Sequence, residues 1–106
     1  MTEFLTIFFY LLCGHAIADY CLQSDYIARC KSRWSGDPSW FWVLSAHSLT
    51  HGAAVSLITG NPLLGFLETA VHWGIDMAKC AGKTNIHQDQ TLHVICKVIW
   101  AACIVL

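Results

Sequence analysis

Four apolar runs, each about as long as a membrane-crossing helix, leave few folds open to this chain of 106 residues. They cover roughly Phe4–Gln23, Trp40–Ile58, Pro62–Lys79 and Asp89–Leu106. The first carries no formal charge before Asp19, and the second carries none at all. A helix needs roughly 17–25 residues to cross a bilayer. Backbone polar groups in lipid are satisfied only in helices or closed barrels, and these runs lack the alternation of barrel strands. The expectation is an all-α protein: one integral-membrane domain over residues 1–106, folded as an up-and-down bundle of four transmembrane helices. Composition agrees, with 56% hydrophobic and 12% charged residues, about half the charged share usual in soluble domains.

The connections read as turns. Ser35-Gly36-Asp37-Pro38-Ser39 precedes the second run, Gly60-Asn61 precedes Pro62, and Ala81-Gly82-Lys83-Thr84-Asn85 follows the third. Pro62 suits a first helical turn. The N-terminal run resembles a signal peptide in length, but Glu3 is its only early charge and no clean small-residue cleavage site follows, so a retained helix is expected. The six cysteines show no CxxC spacing and sit in or beside apolar runs, which argues against a disulfide framework. A net charge of −1 offers no electrostatic footprint for nucleic acid.

Basic residues set an expected orientation. Arg29, Lys31 and Arg33 lie in the first connection, Lys83 lies in the third with Lys79 at its edge, and the second has none. The positive-inside rule places the first and third connections in the cytoplasm of a bacterial inner membrane, with both termini outside. Trp34, Trp40 and Trp42 suit an interfacial belt on that side.

The polar residues inside the apolar runs carry the chemistry. His15 and Asp19, His47 and His51, His72 and Asp76, and Asp89 and His93 are four i,i+4 pairs, one per expected helix. That spacing puts both members on one helix face. Random placement of the His and Asp residues gives about one such pair. Measured from the basic connections, all four pairs lie at similar depth, so they are expected to meet at one end of the bundle. Ionisable groups in membrane segments normally face the bundle interior. Imidazole and carboxylate together suit a divalent transition metal, zinc first, with manganese or iron as alternatives. His15, Asp19, His47, His51, His72, Asp76, Asp89 and His93 exceed what one four-coordinate ion needs. Two ions sharing a carboxylate and one ion with an outer layer of hydrogen bonds both remain open. His87 is expected in a loop, Asp25 in solvent, and Gln90 about 100° away from Asp89. Deeper in the bundle, Glu68 extends the His72–Asp76 stripe and Lys97 extends the Asp89–His93 stripe. Both fall roughly 12 Å below the cluster at 1.5 Å per residue, where an ion pair between them is expected.

The stretches Gly14-His15-Ala16-Ile17-Ala18-Asp19-Tyr20-Cys21-Leu22-Gln23, His47, His72-Trp73-Gly74-Ile75-Asp76-Met77-Ala78-Lys79 and Asp89-Gln90-Thr91-Leu92-His93 resemble a small bacterial and phage membrane family known as domain of unknown function 3307. The resemblance covers most of the chain. It supports His15, Asp19, Gln23, His47, His72, Asp76, Lys79, Asp89, Gln90 and His93 as a unit, while His51 rests on spacing alone. The family is distantly similar to membrane proteins labelled as predicted metal-dependent hydrolases.

The leading expectation is therefore a membrane-embedded, metal-dependent hydrolase. One of Asp19, Asp76 or Asp89 would act as general base, Lys79 would bind the substrate anion, and a lipid or lipid-linked phosphate would suit a site at headgroup level. The competing classes are a proton or metal transporter, and a non-enzymatic membrane effector with a structural metal or a polar core. Membrane lipid is the expected partner. A homo-oligomer is left open, and the sequence names no protein partner.

Overall fold

The computed structural model describes residues 1–106 as an all-α bundle without strands. Helix α1 covers Thr2–Ala16 and continues through one widened π turn, Ile17–Cys21. A short helix α2, Asp25–Cys30, follows, and then come α3, Trp40–Thr59, α4, Pro62–Cys80, and α5, Ile86–Val105. Of the four long elements, two are long and apolar enough to cross a membrane by length and composition: Thr2–Cys21, with mean hydropathy 1.5, and Trp40–Thr59, with mean hydropathy 1.2.

Local chemistry fixes the ends. Gly60 closes α3 with a left-handed φ of 68°, a conformation that glycine adopts without penalty. Asn61 then caps α4, its Oδ1 accepting from the Leu63 and Leu64 amides at 3.0 and 3.4 Å. Helix α5 begins three residues earlier than its apolar run because Asn85 and Gln88 form a capping box. Asn85 Oδ1 accepts from the Gln88 amide at 2.8 Å, and Gln88 Oε1 accepts from the Asn85 amide at 3.0 Å. His87 consequently sits exposed in the first turn of α5, not in a loop. Helix α2, which has no counterpart among the apolar runs, is only six residues long and is capped by Ser24 Oγ on the Ile27 amide at 3.2 Å. Asp25 is its exposed first residue.

Helices α3 and α4 cross closely at two glycines. A Cβ on Gly65 would stand 2.7 Å from the Gly52 carbonyl oxygen and 2.7 Å from Ser56 Cβ, so the crossing requires its absence.

The interior has two storeys. At the end holding the N-terminus of α1, Leu11, Val55, Leu64, Cys96, Trp100 and Ala101 form an apolar core flanked by Phe4, Phe8, Ile58 and Ile104. Towards α2 the interior turns polar. Eleven of the 21 buried residues in the chain are polar or charged, whereas large apolar side chains such as Trp42, Leu57 and Phe66 are 72%, 84% and 69% exposed. The informative departures from ordinary globular packing are buried polar groups and exposed apolar surface, and this chain has both. All six cysteines are free.

Candidate metal centre

The four His/Asp pairs converge in the polar storey. Asp19 Oδ1 lies 3.1 Å from His51 Nε2 and 3.3 Å from His47 Nε2. Asp76 Oδ2 lies 3.3 Å from His72 Nε2 and 3.5 Å from His47 Nε2, while its Oδ1 lies 3.4 Å from His93 Nε2. Asp89 Oδ1 lies 3.6 Å from His93 Nε2. The His51 and His72 rings stack at 3.8 Å between centroids, and those of His72 and His93 at 4.3 Å. His15, His47, His51, His72, Asp76, Asp89 and His93 are buried, and Asp19 stands at the rim with 11% of its side chain exposed.

The widened turn at the end of α1 sets the position of Asp19. The Leu22 amide bonds to the Ile17 carbonyl five residues back, at 2.9 Å, a geometry frequent at functional sites. Asp19 thereby turns Oδ1 to α3 and keeps Oδ2 3.5 Å from His15 Nε2.

A second layer of donors holds the carboxylates. Gln90 Nε2 donates to Asp19 Oδ2 and to Asp89 Oδ2, both at 3.1 Å. With the amide nitrogen so used, Gln90 Oε1 can only accept, and it stands 3.0 Å from His15 Nε2. The His15 proton must therefore sit on Nε2. This engages the ring nitrogen nearest Asp19, so His15 positions the carboxylates through Gln90 and does not offer that nitrogen as a ligand. Gln90 is a bridge at the centre of the site, contrary to its expected direction; its two-methylene side chain reaches back across the 100° offset.

Lys31 is the residue whose role the sequence hid. Its Nζ donates to Asp76 Oδ2 at 2.8 Å and to Gln23 Oε1 at 2.7 Å, and it is buried. Helix α2 folds the first connection back against the bundle and delivers it there. Lys79, the expected cation, is exposed and makes no side-chain hydrogen bond or ion pair. Arg29 and Arg33 stay exposed.

Below the cluster, Lys97 Nζ donates to Glu68 Oε1, which also accepts from Trp100 Nε1 at 3.1 Å. The expected ion pair is present. Glu68 Oε2 faces His72 Nδ1 at 3.6 Å, and neither atom has a hydrogen-bond partner.

The donor set fits a metal ion. His47, His72 and His93 each bury Nε2 with no hydrogen-bond partner, and Asp89 Oδ1 is likewise unpartnered. These atoms approach carboxylate oxygens at 3.3–3.6 Å without hydrogen-bond alignment. Ligands bound to one ion at about 2.0–2.1 Å in a tetrahedral array stand about 3.4 Å apart. The contacts thus have the spacing of ligand–ligand edges. Three groups keep all their ligand atoms within 4.8 Å of one another: Asp19, His47, His51 and His72; Asp76, Asp89 and His93; and Glu68, His72 and His93, which shares one histidine with each of the others.

Comparison with curated proteins returns no match, and neither does comparison with solved structures. Residues 7–106 match the family described as protein of unknown function, DUF3307, and the chain belongs to that family.

Proposed function

We propose that this chain is a four-span membrane protein that holds divalent metal in the polar storey of its bundle and uses it to hydrolyse a phosphate ester or diphosphate carried on a lipid. The observation that carries the metal reading is the set of buried, unpartnered imidazole nitrogens on His47, His72 and His93, each within 3.3–3.4 Å of a carboxylate oxygen. Leaving such groups unpaired is costly, and an ion satisfies them together.

The spanning assignment extends to α4 and α5 for a physical reason. Their mean hydropathy is lowered by Glu68, His72, Asp76, Asp89, His93 and Lys97, all of which are buried inside the bundle. Their outward faces carry Leu63, Phe66, Leu67, Leu92, Ile95 and Ile99, all exposed. Hydropathy summed along the sequence therefore understates the apolar surface these helices offer to lipid, and membrane ionisable residues normally face inward. With Arg29, Arg33 and Lys83 in the first and third connections, the positive-inside rule favours a bacterial inner membrane with the metal centre towards the cytoplasm.

A divalent ion, zinc before manganese or iron on this donor set, lowers the pKa of a bound water to about 7 and polarises a phosphoryl oxygen. Asp19 stands at the rim, where water and substrate would enter, with Oδ1 among the ligand atoms of one donor group and Oδ2 held by Gln90. Lys31, rather than the expected Lys79, is the cation at the site, held by Asp76 Oδ2 and Gln23 Oε1. The apolar storey of Leu11, Val55, Leu64, Trp100 and Ala101 disfavours a transporter, which needs a polar path through both leaflets.

A non-enzymatic effector with a structural metal is the second reading, favoured by the near-complete burial of Asp76, Asp89 and the five cluster histidines. Release of inorganic phosphate from lipid phosphates and diphosphates in mixed micelles separates the two. The hydrolase reading expects release that requires added metal, stops with chelator and falls at least tenfold in Asp19→Asn. Metal bound at stoichiometry without release across the lipid panel would reject it for the second reading.

A further inference from the structure

Asp76 occupies an unusual position in the cluster. Its two oxygens face different imidazoles: Oδ2 towards His72 and His47, Oδ1 towards His93. On the Oδ2 side, Asp19, His47, His51 and His72 form one compact donor group; on the Oδ1 side, Asp89 and His93 complete another with Asp76. The two groups share no residue: the first draws on α1, α3 and α4 and the second on α4 and α5, while a third grouping, Glu68, His72 and His93, takes one histidine from each.

We propose that the cluster is a binuclear metal centre with Asp76 as the bridging carboxylate. One position is held by Asp19, His47, His51 and His72, and the other by Asp89 and His93, with one Asp76 oxygen on each. Two ions joined by a carboxylate stand about 3.5–4 Å apart in hydrolytic centres, and a single carboxylate spans that gap. The outer layer supports the division. Gln90 occupies Asp19 Oδ2 and Asp89 Oδ2 together, leaving Asp19 Oδ1 to the first position and Asp89 Oδ1 to the second. One amide thus ties the two positions together from outside.

Charge identifies the substrate class. Asp19, Asp76 and Asp89 against Lys31 leave two negative charges when the imidazoles are neutral ligands. Two divalent ions convert that to two positive charges, which the dianion of a phosphate monoester neutralises. A single ion leaves the site neutral and gives an anion no such attraction. The inference rests on the metal reading above and refines it.

The test uses the full chain in detergent micelles, titrated with Co²⁺ and followed by visible absorption, and loaded with Mn²⁺ for electron paramagnetic resonance. The binuclear centre expects saturation at two equivalents and an exchange-coupled Mn²⁺ signal. Asp89→Asn should reduce saturation from two equivalents to one and abolish the coupling. His93→Asn is the second variant should the first fail to fold. Wild-type saturation at one equivalent, or two ions without coupling, overturns the bridged centre and leaves the metal reading standing. Failure to bind either ion overturns both. Inorganic phosphate should bind the two-ion form at least tenfold more tightly than the one-ion His93→Asn form, which keeps all three carboxylates and is neutral, and equal affinity would contradict the charge argument.

Discussion

Replacing Lys97 with methionine should destabilise the bundle far more than replacing Lys97 and Glu68 together. Both residues are sealed in the bundle, Glu68 at 0% and Lys97 at 1% exposed. The only other donor to Glu68 is Trp100 Nε1, on the same oxygen as Lys97. Lys97→Met leaves a carboxylate in a low-dielectric interior with one neutral hydrogen bond. Glu68→Gln leaves an ammonium with an amide in place of its counter-ion. Removing one member of a buried pair costs about 3–5 kcal/mol, whereas replacing both with groups of similar volume is often neutral or better. The singles thus sum to roughly 6–10 kcal/mol, comparable to the whole stability of a typical domain, while the double variant should lose less than about 3 kcal/mol. Methionine nearly matches the lysine stem in length, so packing changes little. Equilibrium unfolding in detergent micelles measures all three variants. Additive losses would refute the pairing and, with it, the matched depth of α4 and α5. Glu68 also faces His72 Nδ1, so metal affinity should fall about 10–100-fold in both variants that lose its carboxylate and much less in Lys97→Met.

Chelator should lower the unfolding midpoint of the wild type, by the equivalent of about 2.7 kcal/mol if free metal had stood at a hundredfold its Kd, and should leave His72→Ala unmoved; equal shifts in both would argue against ligation by His72. Lys31→Met should destabilise by about 2–4 kcal/mol by stripping Asp76 of its cation, whereas Lys79→Met should stay within about 0.5 kcal/mol; the reverse order in thermal unfolding would restore Lys79 to the site. Gly65→Ala should cost about 1–3 kcal/mol by forcing α3 and α4 apart, while Gly74→Ala, whose Cβ meets nothing within 4 Å, should gain up to about 1 kcal/mol from helix propensity.

Much of the site was legible because helix periodicity is a short-range rule. One i,i+4 pair on each long helix, matched in depth, was enough to bring Asp19, His47, His51, His72, Asp76, Asp89 and His93 to one place, and the same counting located Glu68 against Lys97. The rest depends on features that periodicity does not encode. Lys31 reaches Asp76 across 45 positions of sequence because α2 folds back, and six residues are too few to show a helical pattern. Its signal was present but ambiguous: a lysine between Arg29 and Arg33 reads first as topology. Gln90 was misdirected because an azimuth computed at Cβ ignores how far an amide side chain reaches. The π turn at Ile17–Cys21 has no signature of its own, yet it decides which helices Asp19 addresses. Mean hydropathy singles out Thr2–Cys21 and Trp40–Thr59 and not α4 or α5, because it averages around helices whose buried polar residues share one face.

The central claim is that the imidazoles and carboxylates of the polar storey hold metal. Elemental mass spectrometry on the full chain, purified in detergent without chelator, measures this without reference to any substrate. The account predicts transition metal at one to two equivalents per chain, most of it lost in His72→Ala combined with Asp76→Asn. Only trace metal in the folded wild type, with no uptake when zinc, manganese or iron is supplied, would contradict it and leave a hydrogen-bonded polar core in its place.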